Sequence, residues 1–217
     1  MGGGMKIVTL HGLYMHGVFL IPLCERLEKH GHQVLNVSYN TLNPDLEGIT
    51  AKIDAFVGDQ PAILIGHSMG GLIIRRYLEQ STKRCDRPPL DVRAVITLGT
   101  PHQGAKLARI FGDLGWGGWL FQRSEDMLIP DKVKPWQNLP PLHSLAGDCP
   151  WGPAALLLKN QVCDGTVLVE ETKIEGMTSH DLYSVTHIAL LFSRRVSERV
   201  IQLVAQYTSA AVPAAEG

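Results

Sequence analysis

The chain has 217 residues, 45% of them hydrophobic, and its 20 Lys and Arg residues nearly balance its 21 Asp and Glu residues, for a formal net charge of −1. The composition shows no block of Lys or Arg and therefore argues against nucleic acid or an anionic membrane surface as a partner. The length suits one α/β domain with a full hydrophobic core, and we expect a single domain over residues 1–217.

The amino terminus shows no sign of export or membrane anchoring. The apolar run after Lys6 has only four residues, too few for a signal-peptide core or a membrane span, and Lys6 stands where an N-myristoylation signal requires Ser or Thr. The four cysteines have no close-paired metal spacing and are expected to be reduced thiols. We therefore expect a cytoplasmic protein without an integral membrane segment and leave its oligomeric state open.

Strand and helix patterns alternate along the chain. Buried apolar runs predict strands, and apolar residues at helical spacing predict the helices between them. This order predicts an α/β fold with a doubly wound, mostly parallel sheet flanked by helices and joined by right-handed crossovers. The predicted strands are 6–12, 33–40, 62–66, 92–100, 142–147 and 181–185, and the predicted helices are 17–30, 44–58 with Asn43 as its cap, one that contains 72–80, and 188–207.

The third predicted strand runs into Gly66-His67-Ser68-Met69-Gly70, which matches Gly-x-Ser-x-Gly and leads directly into a helix. Such a turn projects the serine Oγ above the sheet edge and directs the helix N-terminus toward a developing oxyanion. The two glycines remove Cβ atoms that would clash where the strand and the helix approach each other. The pattern predicts that the serine is an activated nucleophile, and the alternative is an ordinary helix N-cap serine.

Five motifs in this order resemble those of the α/β-hydrolase superfamily, specifically its lipase and esterase branch. The resemblance extends from Lys6 to Val204. The motifs are LHGLYMHG (10–17), GHSMGG (66–71), TLGTPHQGAKLA (97–108), CDGTV (163–167) and THIALLFS (186–193).

This resemblance implies a set of catalytic residues. In the family, the nucleophile, acid and base occur in the order Ser, Asp, His, which implies Ser68, Asp164 and His187 in this chain. It also implies an oxyanion hole formed by the backbone N–H groups of Leu13 and Met69.

Three aspartates compete for the role of the acid. Asp164 precedes Gly165 in a loop that suits the carboxyl edge of the sheet, where open α/β sheets form their active sites. Asp148 lies closer to the strand 142–147 and is the main alternative. Asp181 is expected to begin the last strand, at the wrong end of the sheet.

The histidines also leave alternatives. His187 lies between the last strand and the last helix, where a base can reach the nucleophile, whereas His180 is expected to precede that strand. His67 is expected to point away from the nucleophile as a packing or positioning residue. His11 belongs to the motif that resembles the oxyanion strand, and His102 is expected to support the loop after the fourth strand. No histidine spacing resembles a zinc pattern, so we predict no metal, and the expected mechanism needs no cofactor.

A Gly-, Trp- and Pro-rich insertion over 105–141 interrupts the α/β pattern where members of the resembled family carry a lid. Its aromatic and apolar cluster either caps the core or forms part of an acyl-binding wall. An insertion of this size favours modest esters over a deeply enclosed long-chain tunnel. The cluster consists of Trp116, Trp119, Leu120 and Phe121, and the expected substrate-binding residues are Tyr14, Trp116, Trp119 and Leu120.

Together these features predict a serine hydrolase that cleaves lipid-like or small acyl esters of carboxylic acids through an acyl-enzyme. The expected partner is a small-molecule ester substrate. The alternatives are hydrolysis of thioesters or amides by the same triad, and a non-catalytic binding protein with the same fold.

Overall fold

A computed structural model describes residues 4–83, 90–113, 128, 133–151, 153–158 and 161–209. Within these ranges six strands pair in parallel to form one sheet, with the order β2-β1-β3-β4-β5-β6. The strands are β1 (Lys6–Leu10), β2 (Gln33–Val37), β3 (Ala62–His67), β4 (Val92–Leu98), β5 (Leu142–Gly147) and β6 (Ser179–Tyr183).

Helices connect these strands and flank the sheet. The α-helices are α1 (Ile21–Lys29), α2 (Leu46–Val57), α3 (Met69–Ser81), α4 (Lys106–Asp113), α5 (Ala189–Phe192) and α6 (Arg194–Ser209), and short 3-10 helices span Gly17–Leu20, Pro153–Leu156 and Glu170–Thr172.

The two faces of the sheet carry separate apolar cores because successive strand residues point to opposite sides. Val8 and Leu64 pack with residues of α2 and α3 on one face. Ile7 and Ile63 pack with residues of α1 and α6 on the other. Burial on both faces accounts for the nearly continuous apolar runs of the central strands. The predicted α/β fold class is therefore confirmed.

The last predicted helix, 188–207, is two helices in the structure. Ser193 has extended backbone with φ −63° and ψ 124°, which ends α5 after one turn. The serine then supports the start of α6, since its Oγ accepts a hydrogen bond from the Val196 N–H at 3.4 Å.

Two other predicted boundaries are wrong. The sequence predicts His180 before the last strand and Asp181 at its first residue. In the structure β6 begins at Ser179, so both residues lie inside the strand. The N-cap of α2 is Asp45, whose carboxylate accepts the Gly48 N–H at 2.9 Å, and not Asn43.

Part of the predicted 105–141 insertion joins the main core. Trp136 is buried in the same cluster as α2 and α3, and its indole N–H donates to the Pro140 carbonyl oxygen at 2.7 Å. The residues Trp116, Trp119, Leu120 and Phe121 lie outside the described residues. Among the helices that the structure describes, none has both the length and the apolar character needed to cross a membrane.

Candidate active site

Ser68 occupies the turn between β3 and α3 in a conformation that non-glycine residues rarely adopt, with φ 53° and ψ −125°. Its N–H donates to the Leu98 carbonyl oxygen at 2.9 Å, and its carbonyl oxygen accepts the Thr100 hydroxyl at 2.8 Å. Although Ser68 stands at the N-cap position, its side chain makes no capping hydrogen bond. The ordinary N-cap interpretation therefore does not account for this serine.

The glycines around Ser68 permit the close approach that the sequence predicted. A Cβ atom on Gly66 would lie 2.5 Å from the backbone nitrogen of Gly71. A Cβ atom on Gly70 would collide with the Leu10 carbonyl oxygen at the end of β1. Both obstacles are backbone atoms, so neither can be relieved by a change of side-chain rotamer.

Asp164 and His187 form a buried pair. The Nδ1 atom of His187 lies 2.6 Å from Asp164 Oδ2, and the His187 N–H donates to the Asp164 carbonyl oxygen at 2.9 Å. The other carboxylate oxygen, Oδ1, accepts the N–H groups of Thr166 and Val167 at 3.0 and 2.8 Å. The carboxylate accepts a hydrogen bond from Nδ1, so Nδ1 carries the proton of the neutral imidazole. Nε2 is then unprotonated and can accept a proton.

His187 also lies beside the strand end that holds the nucleophile. Gly99 has φ 61°, and a Cβ atom there would lie 3.0 Å from His187 Cε1 and Nδ1. The preceding residue, Leu98, accepts the Ser68 N–H. The segment Leu98–Gly99 therefore contacts both residues, and the carboxyl ends of β3 and β4 bring them to one edge of the sheet.

The alternative acid and base residues make other contacts. Asp148 donates its N–H to the Tyr183 carbonyl oxygen and is not the partner of His187. Asp181 accepts a hydrogen bond from Arg199 at 2.9 Å. His180 Nε2 lies 2.8 Å from the Thr172 hydroxyl.

The two predicted oxyanion residues flank the nucleophile turn. Met69 is the first residue of α3, so its N–H has no acceptor within the helix and lies at the positive end of the helix dipole. Leu13 follows Gly12, where a Cβ atom would lie 2.8 Å from the Ser68 Cβ. Tyr14, with φ 57°, donates its N–H to the Thr41 hydroxyl at 3.1 Å.

His11 supports this segment as a neutral imidazole. Burial lowers the pKa of His11, and the hydrogen bond to the Gly12 carbonyl oxygen offsets only part of this shift. Its Nδ1 lies 3.1 Å from the Gly12 carbonyl oxygen, which can only accept, and its Nε2 accepts the Tyr39 N–H at 3.3 Å. Tyr39 stacks on the ring at 4.4 Å and donates its hydroxyl to the His11 carbonyl oxygen. Sequence reasoning missed Tyr39, for which no local motif gives a signal.

Among the predicted substrate-binding residues, the structure describes Tyr14 alone. Its side chain is 58% exposed and borders an open depression of about 640 Å³ between the segments 14–16 and 38–42. Sequence reasoning missed another exposed aromatic residue, Trp151, which lies between β5 and Asp164. Trp151 is 79% exposed, and its carbonyl oxygen lies against Gly165.

Glu171 is a buried carboxylate that sequence reasoning also missed. It accepts the N–H of Lys106, the first residue of α4, and the Leu168 N–H at 2.8 Å. Burial raises the pKa of Glu171, which these two N–H donors and Arg109 partly offset. The side chain thereby joins the acid loop to the helix that begins the 105–141 insertion. In the ranges that the structure covers, no group of three or more His, Cys, Asp or Glu residues is arranged to hold a metal ion.

Comparisons with known proteins agree with this architecture. A family model described as the alpha/beta hydrolase fold matches residues 36–123. The mature form of a Bacillus licheniformis lipase has a similar structure, with a TM-score of 0.72, 21% identity and coverage of 94% of this chain and 93% of that one. A metagenomic carboxyl esterase gives a TM-score of 0.71 at 15% identity, covering 98% of this chain and 77% of that one.

A curated relative matches a shorter segment. Mouse protein SERAC1 is 41% identical over 56 residues, which is 25% of this chain and 9% of that protein. The chain thus corresponds to a small part of this relative. The parallel sheet order, the family-model match and the structural neighbours together show that this chain has the alpha/beta hydrolase fold.

Proposed function

We propose that this protein is a serine hydrolase that cleaves carboxylic esters through an acyl-enzyme. The observation that carries this proposal is the buried hydrogen bond of 2.6 Å between His187 and Asp164, at the edge of the sheet where the Ser68 turn lies. The structural neighbours are named as a lipase and a carboxyl esterase, which supports an ester over other acyl substrates.

In the proposed reaction, the Ser68 hydroxyl oxygen attacks the ester carbonyl carbon while His187 Nε2 accepts the hydroxyl proton. The carbonyl oxygen becomes an oxyanion, which the N–H groups of Leu13 and Met69 stabilise. Collapse of this intermediate breaks the bond to the alcohol oxygen, which takes the proton from His187. Water then attacks the acyl-enzyme by the same route and releases the acid. Asp164 orients the imidazole and stabilises its protonated form, and no cofactor takes part.

We assign substrate contacts to Tyr14 and, from the sequence, to Trp116, Trp119 and Leu120 of a lid within 105–141. The exposed ring of Tyr14 follows the oxyanion residue Leu13 and borders the open depression. An aromatic surface beside the reacting carbonyl suits an apolar acyl group.

The proposal is tested by the hydrolysis of p-nitrophenyl esters of increasing acyl length. Ser68→Ala should abolish hydrolysis across the series and keep the melting temperature close to that of the wild type. Ser81→Ala, at the far end of the same helix, is the matched control and should keep full activity. Undiminished hydrolysis by Ser68→Ala would refute the proposal.

A further inference from the structure

His67, the residue before the nucleophile, is buried between the base and the oxyanion strand. Its side chain has no solvent exposure. Its ring lies 4.7 Å from the ring of His187, centroid to centroid, at an angle of 47°. On the other side it faces Gly12, where a Cβ atom would lie 3.0 Å from His67 Nδ1.

The position of the ring proton follows from these surroundings. Burial lowers the pKa of His67 well below its usual range, and the hydrogen bond to the His187 carbonyl oxygen offsets only part of this, so the ring is neutral and carries one proton. His67 Nε2 lies 3.1 Å from the His187 carbonyl oxygen. A carbonyl oxygen only accepts, so the proton is on Nε2. Nδ1 is then a hydrogen-bond acceptor, and no described residue donates a hydrogen bond to it.

His187 is held by hydrogen bonds from two directions. Two hydrogen bonds join His187 to Asp164. The His187 N–H donates to the Asp164 carbonyl oxygen, and Nδ1 donates to the Asp164 carboxylate. His67 binds its carbonyl oxygen from the nucleophile turn. The latter contact joins residues 120 positions apart and directly couples the turn that carries Ser68 to the backbone of His187.

We infer that His67 is a positioning residue, whose Nε2–H fixes the backbone of His187 relative to the turn that carries Ser68. This inference rests on the proposed function and gives the second residue of Gly-x-Ser-x-Gly a defined task. His67 does not touch the reacting atoms. Without the His67 N–H, the buried carbonyl oxygen of His187 has no hydrogen-bond donor, which is energetically unfavourable. The segment that carries His187 should then shift until this oxygen accepts another hydrogen bond. The shift should slow the proton transfer and leave substrate binding unchanged.

A matched pair of variants isolates this N–H. In His67→Gln the amide Nε2 can take the place of the imidazole Nε2, whereas His67→Met has a similar length and no donor. Met packs well in an apolar site, so His67→Met should lower the melting temperature only through the loss of this one hydrogen bond. We expect His67→Met to lower kcat by about 10-fold to 100-fold with little change in KM, because small displacements of a catalytic group cost about this much. His67→Gln should regain most of the lost kcat.

A buried histidine near the opposite end of the sheet provides the control. His143, near the amino end of β5, hydrogen-bonds to the hydroxyls of Ser179 and Tyr207 at 2.7 and 2.8 Å. His143→Met should lower the melting temperature without lowering kcat. Equal kcat values for His67→Met and His67→Gln, or losses that only follow the melting temperature, would overturn the inference.

A spectroscopic measurement keeps this test separate from the proposed function. The Nδ1 proton of His187, in its short bond to Asp164, should give a downfield NMR signal that shifts or broadens in His67→Met and is kept in His67→Gln. If the wild type hydrolyses no ester, the proposed function fails, while this signal still reports on the position of His187. An unchanged signal in His67→Met would overturn the inference.

Discussion

The backbone of Ser68 is strained, and its neighbours keep it so. A non-glycine residue at φ 53° costs about 1–3 kcal/mol, and such strain persists only where surrounding contacts determine the conformation. Leu98, Thr100 and Gly71 each hydrogen-bond the backbone of this one residue. Tyr14, beside the proposed oxyanion residue Leu13, also has a positive φ of 57°. Strain is thus found on both sides of the proposed reaction centre, which is consistent with a preorganised site.

The identity of the acid is a prediction at the scale of the residue. Asp164→Asn should lower kcat by a factor on the order of 10⁴, because an amide that donates toward Nδ1 favours the wrong tautomer of His187. Asp148→Asn is the matched control and should leave kcat close to that of the wild type. Steady-state kinetics with a p-nitrophenyl ester measures both. A large loss in Asp148→Asn together with a small one in Asp164→Asn would assign the acid to the other loop.

The buried histidine His102 predicts how stability depends on pH. Burial, with smaller effects of Arg75 and His180, lowers its pKa to about 3, whereas in the unfolded chain the pKa is near 6.5. Between these two values the unfolded state binds a proton that the folded state does not, so stability falls as the pH falls. From pH 7 to pH 5 this histidine should remove about 2 kcal/mol from the free energy of unfolding.

His102→Met should lack this contribution. Urea unfolding at pH 7 and pH 5 measures the difference, and the variant should lose about 2 kcal/mol less than the wild type over this range. The substitution also removes the hydrogen bond to Thr97. The free energy lost with this bond is the same at both pH values, so it cancels in the difference between them. An identical pH dependence in the two proteins would show that His102 becomes protonated in the folded state.

At the scale of the element, the cap of α2 gives a direct test of a corrected boundary. Asp45→Ala should lower the free energy of unfolding by about 1 kcal/mol, because the Gly48 N–H loses its acceptor at the helix start. Asn43→Ala, two residues earlier, should have no measurable effect. Chemical unfolding at pH 7 measures the free energy of unfolding of both variants. A larger loss in Asn43→Ala than in Asp45→Ala would show that Asn43 is the N-cap, as the sequence predicted.

The errors in the predicted elements have a common physical origin. Asn43 and Asp45 are both good capping residues, and the choice depends on which one has a backbone N–H in reach. The apolar spacing of 188–207 continues through Ser193, so periodicity alone does not reveal the break between α5 and α6. By contrast, the buried strands and the turn at Ser68 were predictable, because continuous apolar runs and closely placed glycines are local signals.

Contacts between distant segments explain what sequence reasoning missed in the site. The pairing of Asp164 with His187 was anticipated mainly because the motifs resemble those of a known family, and the expected place of each residue in the fold supported it. The stacking of Tyr39 on His11 and the hydrogen bond from His67 to His187 join residues far apart in sequence and leave no local pattern. Glu171 gives no signal either, because an isolated acidic residue is usually exposed.

At the scale of the whole molecule, the parallel sheet explains why residues from distant segments meet. The segments that carry Leu13, Ser68 and His187 follow the carboxyl ends of β1, β3 and β6, which share one edge of the sheet. The lipase and the carboxyl esterase share this fold at low sequence identity. The single domain over 1–217, the lid and the cytoplasmic location stay predictions from the sequence.

The central claim is that Ser68 is the nucleophile, and covalent labelling tests it most directly. Incubation with a fluorophosphonate probe, followed by proteolysis and mass spectrometry of the peptides, identifies the modified residue. We expect one adduct per chain, located on Ser68, with labelling slowed in Asp164→Asn and absent in Ser68→Ala. An adduct on any other residue, or undiminished labelling of Ser68→Ala, would contradict the assignment.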